Sequence, residues 1–376
     1  MTNLRSLLAA HTETRREKWL YTPLFFRLRQ EDDRRRLQDL CRCQNDLVML
    51  NPFRGQVEEL IKTRHPDRQF SREELQAAVD EYLGDAPEEK GVWVYYPWRK
   101  TLVHLLDEEE FVFVRTNRNR NKITQQEQEV LARKAIGVIG LSVGQSLALT
   151  LAMERVCGEI RLADFDTLEL SNLNRIRAGV HHLGMPKVIV TAREIAEIDP
   201  FLKVVCFADG VNEENLDRFL VEGGRLDILV DECDSLNMKI LCRLKARELG
   251  IPVVMDTSDR GLLDVERFDL EPDRPILHGL VDGLDYDTLK GLSNQEKIPY
   301  VLRIVGGDAI SARLRMSLLE VGKTVCTWPQ LASSVTLGAA VGTDVCRRIA
   351  LGQFRASGRF YVDLEQLIAD GNCLVV

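Results

Sequence analysis

The segment from Lys134 to Val156, KAIGVIGLSVGQSLALTLAMERV, places a short apolar run directly before a glycine turn and a helix-like stretch. Further along the chain, short apolar runs alternate with helical segments, which is the pattern of βαβ units. The runs that we expect to form strands are AIGVIG, EIRLADFD, KVVCFA, LDILVDE and IPVVMDT. The alternation predicts an α/β fold for residues 125–376, with a doubly wound, mostly parallel, Rossmann-like sheet.

Residues 1–124 have a different pattern and are predicted to form a small N-terminal α+β domain. EDDRRRLQDLCRC and SREELQAAVDEYLG have the spacing of helices, whereas GVWVYYPW, TLVHLL and FVFVR have the composition of strands. Thr124 and Glu127 have the spacing of a capping box, so a helix should begin at the boundary between the two domains. From its residues alone, the N-terminal domain is expected to serve packing or dimerisation.

Composition limits the class of protein. Of the 376 residues, 45% are hydrophobic, and no uncharged apolar run approaches the ~18 residues of a membrane span. The N-terminal stretch lacks the pattern of a signal peptide, so we expect a cytoplasmic protein that does not enter a membrane. The nine cysteines include no CxxC pair, and the net charge of −8 argues against binding to nucleic acid.

The glycine turn has the features of a nucleotide-binding loop. Gly140 suits a tight turn after a strand, Ser142 and Gly144 follow it, and the next helix would direct unpaired N–H groups at a phosphate. Gln145 stands where the dinucleotide fingerprint has its third glycine, so a NAD site, an ATP site and a purely structural turn all remain open. Asp164, about 20 residues further along, is placed to accept hydrogen bonds from a ribose, which favours an adenine nucleotide.

Three further motifs follow this turn in order: ADFDTLELSNLNR, LGMPK and LVDECDS. Together they resemble the ThiF, MoeB and HesA family of E1-like adenylating enzymes, over roughly residues 115–352. The resemblance implies the E1-like fold and an ATP-dependent adenylyltransferase activity. In that reaction a substrate carboxylate attacks the α-phosphate of MgATP and pyrophosphate leaves, so that an acyl-adenylate forms.

The resemblance also implies roles for individual residues. Asp164 would bind the ribose, with Asp166 beside it in the cofactor site. Asn172, Arg175 and Lys187 would contact the phosphates. Arg175 and Lys187 would also be catalytic, because they stabilise the charge that develops on the phosphates.

ATP and Mg²⁺ are the cofactors that the resemblance implies. Asp234 matches the aspartate that helps to hold Mg²⁺ and is a catalytic candidate, with Asp231 as its possible neighbour at the metal. Many members of the family hold a structural zinc with two CxxC pairs, and no zinc is expected here because the chain has none. Residues 271–303, where thioester-forming members place a cysteine, contain no cysteine either, which disfavours thioester transfer.

A basic element, RTNRNRNK, precedes the first predicted strand of the nucleotide domain. Members of the family carry an R-x-N-R element here, and one of its arginines reaches the ATP site of the partner subunit. Arg118 is the candidate for this catalytic arginine, and Arg115 and Arg120 are the alternatives. The planar guanidinium suits bidentate phosphate binding, and an arginine that acts in trans implies a homodimer.

The substrate is expected to be a carboxylate of a peptide or small protein. An additional N-terminal domain, together with the missing cysteine and CxxC pairs, is similar to members that modify peptides in natural-product and antibiotic biosynthesis. By that resemblance, the N-terminal domain would be a peptide clamp or a dimerisation module. The expected target is a glutamate side chain of a precursor peptide, which adenylation prepares for cyclisation. Asp256, Ser258, Asp259 and Arg260 either contact this substrate or form an ordinary turn at a strand end.

Three alternatives to this function stay open. One is activation of the C-terminus of a ubiquitin-like or sulfur-carrier protein. Another is a NAD-dependent oxidoreductase, which the phosphate-binding cations and Gln145 oppose. The third is an inactive E1-like partner subunit, which the complete set of ATP-site residues opposes.

Overall fold

The computed structural model describes residues 17–282, 286–307 and 310–369. The chain divides into two compact units, Met1–Lys122 and Ile123–Val376. Across the described ranges, no helix has both the length and the apolar composition needed to cross a lipid bilayer.

A four-stranded sheet forms the centre of the N-terminal unit. Its strands are β1 (Leu24–Phe26), β2 (Val48–Leu50), β3 (Val92–Tyr96) and β4 (Thr101–Leu105). They lie in the order β1-β3-β4-β2, in which β3 is antiparallel to both neighbours and β2 runs parallel to β4. β2 is an edge strand, and all three of its residues are exposed.

The helices of the N-terminal unit are α1 (Glu31–Cys43), α2 (Phe53–Arg64), α3 (Arg72–Leu83) and α4 (Glu108–Arg115). The two helices predicted from sequence are confirmed as α1 and α3. The helix α3 begins with a complete capping box, in which the Ser71 hydroxyl accepts a hydrogen bond from the backbone N–H of Glu74. A hydrophobic cluster joins α2 and α3, which makes the unit an α+β arrangement with its own core.

The prediction of a strand at FVFVR was wrong, because these residues form the second half of α4. Three glutamates occupy the first turn of this helix, where the positive end of the helix dipole favours negative charge. Phe111, Phe113 and Val114 then pack against the cluster formed by α2 and α3. Tertiary packing and helix-end electrostatics therefore override the strand propensity of the aromatic and β-branched residues.

A seven-stranded sheet organises the C-terminal unit. Its strands are β5 (Ala135–Ile139), β6 (Glu159–Ala163), β7 (Lys203–Phe207), β8 (Ile228–Asp231), β9 (Val253–Thr257), β10 (Leu262–Glu266) and β11 (Gly358–Tyr361). The order is β11-β10-β9-β8-β5-β6-β7. The strands from β5 to β9 are parallel to their neighbours, whereas β10 and β11 extend the sheet in antiparallel pairs. All five strands predicted from sequence are confirmed.

The helices of the C-terminal unit are α5 (Gln125–Leu131), α6 (Gly144–Glu154), α7 (Lys187–Ile198), α8 (Leu216–Val221), α9 (Leu236–Glu248), α10 (Tyr286–Gly291), α11 (Asn294–Val305), α12 (Ala312–Glu320), α13 (Ala332–Ala350) and α14 (Leu364–Leu367). The predicted capping box is present at the start of α5, where Thr124 and Glu127 bond each other's backbone N–H groups.

Helices cover both faces of the seven-stranded sheet. On β9, Met255 belongs to a hydrophobic cluster that includes Ile240 of α9, whereas Asp256 lies against Gly338 of α13. Successive residues of a strand point to opposite faces, so α9 and α13 lie on opposite sides of the sheet. The predicted doubly wound, mostly parallel α/β fold is therefore confirmed.

Two glycines allow α13 to approach its neighbours closely. A Cβ atom added at Gly338 would lie 1.8 Å from Oδ2 of Asp256, and one added at Gly342 would lie 2.6 Å from Cδ1 of Leu147. Asp256 is buried at the end of a strand, whereas the contact at Gly342 is the end of a flexible leucine side chain. The two positions therefore differ in how easily the neighbour can move.

We expect Gly338→Ala to destabilise the protein by about 1–3 kcal/mol through overpacking against Asp256. Gly342→Ala should cost much less, because Leu147 can change rotamer and alanine favours the helix. Urea denaturation of both variants measures the difference in the free energy of unfolding. Equal stabilities for the two variants would contradict the close approach of Gly338 to the side chain of Asp256.

Candidate functional site

The strand order places a crevice between β5 and β8. The order β7-β6-β5-β8-β9 reverses direction at β5, so the connections from β5 and β8 leave toward opposite sides of the sheet. In open α/β sheets, ligands bind at such a point, beyond the carboxyl ends of the strands. Gly140 follows β5 with φ of +86°, and a Cβ atom there would lie 2.5 Å from the carbonyl oxygen of Glu232. The glycine turn therefore packs directly on the end of β8.

Gly144 begins α6 and brings this helix close to β5. A Cβ atom at Gly144 would lie 2.8 Å from Cγ1 of Val138 and 3.4 Å from Cγ of Glu232. The space next to the Cα atom of Gly144 is therefore taken by protein side chains. Gly144 therefore provides the helix-to-strand packing that the fingerprint assigns to its third glycine.

Gln145, which departs from the glycine fingerprint, is 1% exposed and hydrogen-bonded on both sides of its amide. Its Oε1 accepts from the backbone N–H of Arg177 at 2.8 Å, and its Nε2 donates to the carbonyl of Arg177 at 3.0 Å. Nε2 also donates to Oε2 of Glu194 at 3.1 Å. The departure from glycine thus connects the first turn of α6 to the loop that carries Arg175.

Asp164 lies at the end of β6 and is 8% exposed. Its two carboxylate oxygens accept hydrogen bonds from the backbone N–H groups of Leu141 and Asp166, each at 2.7 Å. Burial raises the pKa of Asp164, and these two hydrogen bonds, with the charge of Lys187, oppose that rise. Asp164 thus links the glycine turn to the next loop.

Lys187 is the first residue of α7 and is 6% exposed. Its Nζ lies 2.7 Å from Oδ2 of Asp166, whose side chain is half exposed. The backbone N–H of Lys187 also donates to the carbonyl of Asp166 at 2.9 Å. The structure therefore brings Asp164, Asp166 and Lys187 together, as a buried cation beside two carboxylates.

Arg175 reaches back to the glycine turn. Its Nε and Nη2 donate to Oγ of Ser142 at 3.1 and 2.7 Å, and its Nη1 donates to Oδ1 of Asn174 at 2.9 Å. Burial lowers the pKa of Arg175, and the charge of Asp234 opposes this effect. Ser142, Arg175 and Asp234 are therefore neighbours at the crevice between β5 and β8.

Asn172 is buried and has a structural partner. It lies in the 3-10 helix Leu170–Asn174, and its Oδ1 accepts the backbone N–H of Glu169 at 3.0 Å. This hydrogen bond closes the turn ahead of Arg175. Contact between Asn172 and a phosphate stays a prediction.

The two aspartates of the LVDECDS motif have different environments. Asp234 is exposed, whereas Asp231 is fully buried and paired with Lys239 and Arg243. Burial acts to raise the pKa of Asp231, but the charges of Lys239 and Arg243 hold it well below its usual range. Arg243 also pairs with Glu266 of β10 at 2.5 Å. Asp231 therefore belongs to a buried ionic network and is not placed to join Asp234 at a metal.

Glu232 and Asp256 form a pair of buried carboxyl side chains. Asp256 is a candidate from the sequence, whereas Glu232 is not. Glu232 accepts the backbone N–H of Asp256 through Oε1 at 2.8 Å. Oδ2 of Asp256 has no hydrogen-bond partner within the described residues. Burial raises the pKa of Asp256 to about 7 and also raises that of Glu232, where the neighbouring Asp256 adds to the effect.

Two of the other candidates in the β9–β10 turn, Asp259 and Arg260, have structural partners. Asp259 accepts hydrogen bonds from the backbone N–H and hydroxyl of Ser311, the residue that caps α12. Arg260 has φ of +55° and pairs with Asp363 at 2.6 Å. These contacts favour the interpretation of an ordinary turn over contact with a substrate.

The basic element lies in the N-terminal unit. Arg115 ends α4, and the 3-10 helix Asn117–Asn119 follows it. Arg118 and Arg120 are both exposed to solvent, and Arg120 lies over the ring of Phe113 at 4.8 Å. The assignment of Arg118 as the arginine that acts in trans, with Arg115 and Arg120 as alternatives, stays a prediction.

The described ranges contain no group of three or more His, Cys, Asp and Glu side chains with the arrangement of metal ligands. A Mg²⁺ ion that arrives with ATP does not need such a group, because it uses one or two carboxylates together with phosphate oxygens and waters. The exposed carboxylate of Asp234, next to Arg175, suits that limited role.

The sheet order, the glycine turn at the reversal point and the nearby arginine and lysine define an α/β protein of the nucleotide-binding class. Within this class, the chain belongs to the ThiF family, whose model matches residues 116–318. The match covers more than half of the chain and includes every candidate residue described above except Arg115.

Three relatives illustrate the range of the similarity. The chain is 48% identical to an uncharacterized protein of Mycobacterium tuberculosis over 75% of its own length and 39% of that protein. It is 30% identical to a tRNA threonylcarbamoyladenosine dehydratase of Bacillus subtilis over 41% of its length and 60% of the relative. It is 26% identical to a molybdopterin-synthase adenylyltransferase of Haemophilus influenzae over 53% of its length and 80% of the relative. The chain thus spans about two fifths of the first relative's length.

Solved structures show more distant likeness. The Escherichia coli dehydratase TcdA has a TM-score of 0.45 and 18% identity, covering 64% of this chain and 95% of the other. PaaA has a TM-score of 0.44 and 19% identity, covering 67% and 80%. E. coli MccB has a TM-score of 0.44 and 14% identity, covering 80% and 79%.

Asp256 should make stability depend on pH. In the unfolded chain its carboxyl ionises near its ordinary pKa of 3.8, whereas in the folded protein it ionises at about 7. The folded state therefore binds the extra proton between these values, so its contribution to the free energy of unfolding falls as pH rises through this window and levels off above it.

We expect Asp256→Asn to remove this contribution, so that the variant gains stability relative to wild type between pH 4 and 7, by on the order of 1 kcal/mol per pH unit. Urea denaturation of both proteins at pH 5 and pH 7.5 measures the change. A stability difference that is the same at both pH values would show that Asp256 is ionised throughout.

Proposed function

We propose that the protein is an ATP-dependent adenylyltransferase that activates a substrate carboxylate and releases pyrophosphate. One observation carries this proposal: near the reversal point of the sheet, Arg175 contacts Ser142 of the glycine turn, and Lys187, at the start of α7, contacts the carboxylate of Asp166. Two cations beside the start of a helix suit a triphosphate better than the pyrophosphate of a dinucleotide alone. Family membership and the adenylyltransferase among the relatives support the same conclusion.

Each residue has a defined part in the proposed reaction. Asp164 would accept hydrogen bonds from the ribose, in addition to those from the backbone. Arg175 would release the hydroxyl of Ser142 and bind phosphate oxygens instead. Lys187 would likewise release the carboxylate of Asp166 and bind phosphate oxygens. A carboxylate oxygen of the substrate attacks the α-phosphorus, and the bond from that phosphorus to the bridging oxygen of pyrophosphate breaks. Catalysis then consists of positioning and charge stabilisation.

Mg²⁺ would neutralise part of the charge on the phosphates. Asp234 is the residue that would hold it, because its carboxylate is exposed beside Arg175 while Asp231 is already paired. The protein would thus supply one carboxylate, and ATP and water would supply the remaining oxygens.

For the substrate, we propose a carboxylate of a peptide, specifically a glutamate side chain in a precursor of a peptide natural product. The family match begins at residue 116, so nearly all of the N-terminal unit is additional to it. In that unit, β2 lies at the edge of its sheet with exposed apolar residues. An extended peptide can pair with such an edge, which suits a peptide clamp. The lack of cysteine in residues 271–303 favours direct use of the adenylate over a thioester.

A second candidate is activation of the C-terminus of a small carrier protein. The similarity to the molybdopterin-synthase adenylyltransferase, which extends over 80% of that relative, favours it. The two candidates share the adenylation step and differ only in which carboxylate enters the site.

Exchange of radiolabelled pyrophosphate into ATP tests the adenylation step. We expect exchange that requires a carboxylate substrate, with AMP formed in the forward direction. Lys187→Ala and Asp234→Ala should each lower the rate roughly 100-fold, because each removes charge stabilisation at the phosphates. Lys203→Ala is the matched control, since Lys203 pairs with Glu159 on an exposed surface of β7 and should exchange like wild type.

Glutamate-containing peptides and carrier-protein C-termini are compared as substrates in this assay. Exchange with the peptides only supports the proposed substrate, and exchange with a carrier protein only supports the second candidate. An active protein whose Lys187 and Asp234 variants retain full exchange would contradict the site.

The proposed homodimer, with Arg118 acting in trans, can be tested by mixing variants. Arg118→Ala and Lys187→Ala should each be inactive alone. After mixing and exchange of subunits, a heterodimer contains one site with both residues intact, so about a quarter of wild-type activity should return. If Arg118 acts within its own chain, the mixture stays inactive.

A further inference from the structure

We propose that Gln145 is a positioning residue that holds Arg175 against the nucleotide loop. This inference rests on the proposed function, because it concerns how the phosphate-binding arginine is presented to ATP. It assigns a role to the residue that stands at the third glycine position of the fingerprint.

The contact is a matched pair of hydrogen bonds between a side-chain amide and a peptide group. Oε1 of Gln145 accepts the N–H of Arg177 at 2.8 Å, and Nε2 donates to the C=O of the same residue at 3.0 Å. The second proton of Nε2 is directed to Oε2 of Glu194 at 3.1 Å. Glutamine is the long side chain with both an acceptor and two donors, so all three bonds can form together.

Arg175 lies between two fixed points. On its N-terminal side, the carbonyl of Asn172 accepts the N–H groups of Arg175 and Ile176 at 3.1 and 2.9 Å. On its C-terminal side, Arg177 is fixed by Gln145. Because only Ile176 separates Arg175 from Arg177, and Ile176 is itself buried, the backbone that carries Arg175 has little freedom.

The side chain of Gln145 starts from the same helical turn that would bind phosphate. Gly144 begins α6, and Ser142 in the preceding turn receives Nε and Nη2 of Arg175. Gln145 therefore fixes the distance between the arginine loop and the helix start. Alanine at this position would leave the loop attached to α6 through Arg175 itself, which must release Ser142 when it binds a phosphate.

A matched control exists at the other end of α6. Nε2 of Gln128 donates to the carbonyl of Arg155 at 2.7 Å, and Arg155 is the residue that caps the C-terminus of α6. Gln128 and Gln145 thus both connect a side-chain amide to a backbone carbonyl near an end of one helix. Only Gln145 contacts the loop that carries Arg175.

The test is a double-mutant cycle on ATP binding, measured by isothermal titration calorimetry with MgATP. The proteins are wild type, Gln145→Ala, Arg175→Ala, the double variant and Gln128→Ala. If Gln145 acts through Arg175, Gln145→Ala should raise the Kd for ATP roughly tenfold, which is the scale of one or two lost hydrogen bonds. The double variant should bind no more weakly than Arg175→Ala alone. Gln128→Ala should bind ATP like wild type.

Gln145→Glu provides a second variant of nearly the same shape. It keeps the acceptor for the N–H of Arg177 but loses both donors and faces the carboxylate of Glu194, so it should also weaken ATP binding. If Gln145→Ala does not fold, the cycle is carried out with Gln145→Glu.

Three outcomes would overturn the inference while leaving the proposed function intact. They are additive losses in the cycle, wild-type affinity in both Gln145 variants, and an equal loss in Gln128→Ala. Failure of the wild-type protein to bind ATP would instead overturn the proposed function, and the inference with it. The expected non-additive result cannot arise from a general loss of stability, because that loss would also affect the protein that already lacks Arg175.

Discussion

The carboxylate of Asp164 accepts backbone N–H groups from both of the loops that build the site, one at Leu141 and one at Asp166. These two bonds set the spacing between the glycine turn after β5 and the loop after β6. Lys187 depends on this spacing, since it is held by the side chain and the carbonyl of Asp166. A buried carboxylate is costly unless it is paired or hydrogen-bonded, so the arrangement is stable only because its parts satisfy one another.

A second buried network connects the site to the antiparallel edge of the sheet. Arg243 of α9 lies between Asp231, at the end of β8, and Glu266 of β10, and all three side chains are fully buried. Oε1 of Glu266 in turn accepts the backbone N–H of Leu277. Removing any one member would leave a buried charge without one of its partners, so the end of β8, α9 and β10 are held in one arrangement.

The sequence predicted the sheet better than the contacts that the candidate residues make. Apolar runs that alternate with helices are a strong pattern, because each buried parallel strand must be apolar on both faces. FVFVR was misassigned because its strand propensity competes with three preceding glutamates that favour a helix start, and only tertiary packing decides between them. Glu232 was missed because a carboxyl that bonds the backbone of a distant strand leaves no periodic pattern. Motifs indicate which residues are candidates for contact with a ligand, whereas hydrogen bonds across the sheet depend on the folded geometry.

The departures from the glycine fingerprint are connected to one another. Gly144 packs on Val138. The close helix-to-strand packing expected of the third glycine, at position 145, is therefore provided one residue nearer the N-terminus. This shift frees the next position for a side chain that points away from β5, and Gln145 uses it to hold Arg177. Ser142, in the same turn, offers an oxygen to Arg175. A loop with glycine at both positions would lack these contacts, because glycine has no side chain. The altered sequence therefore links the glycine turn to the loop that carries Arg175.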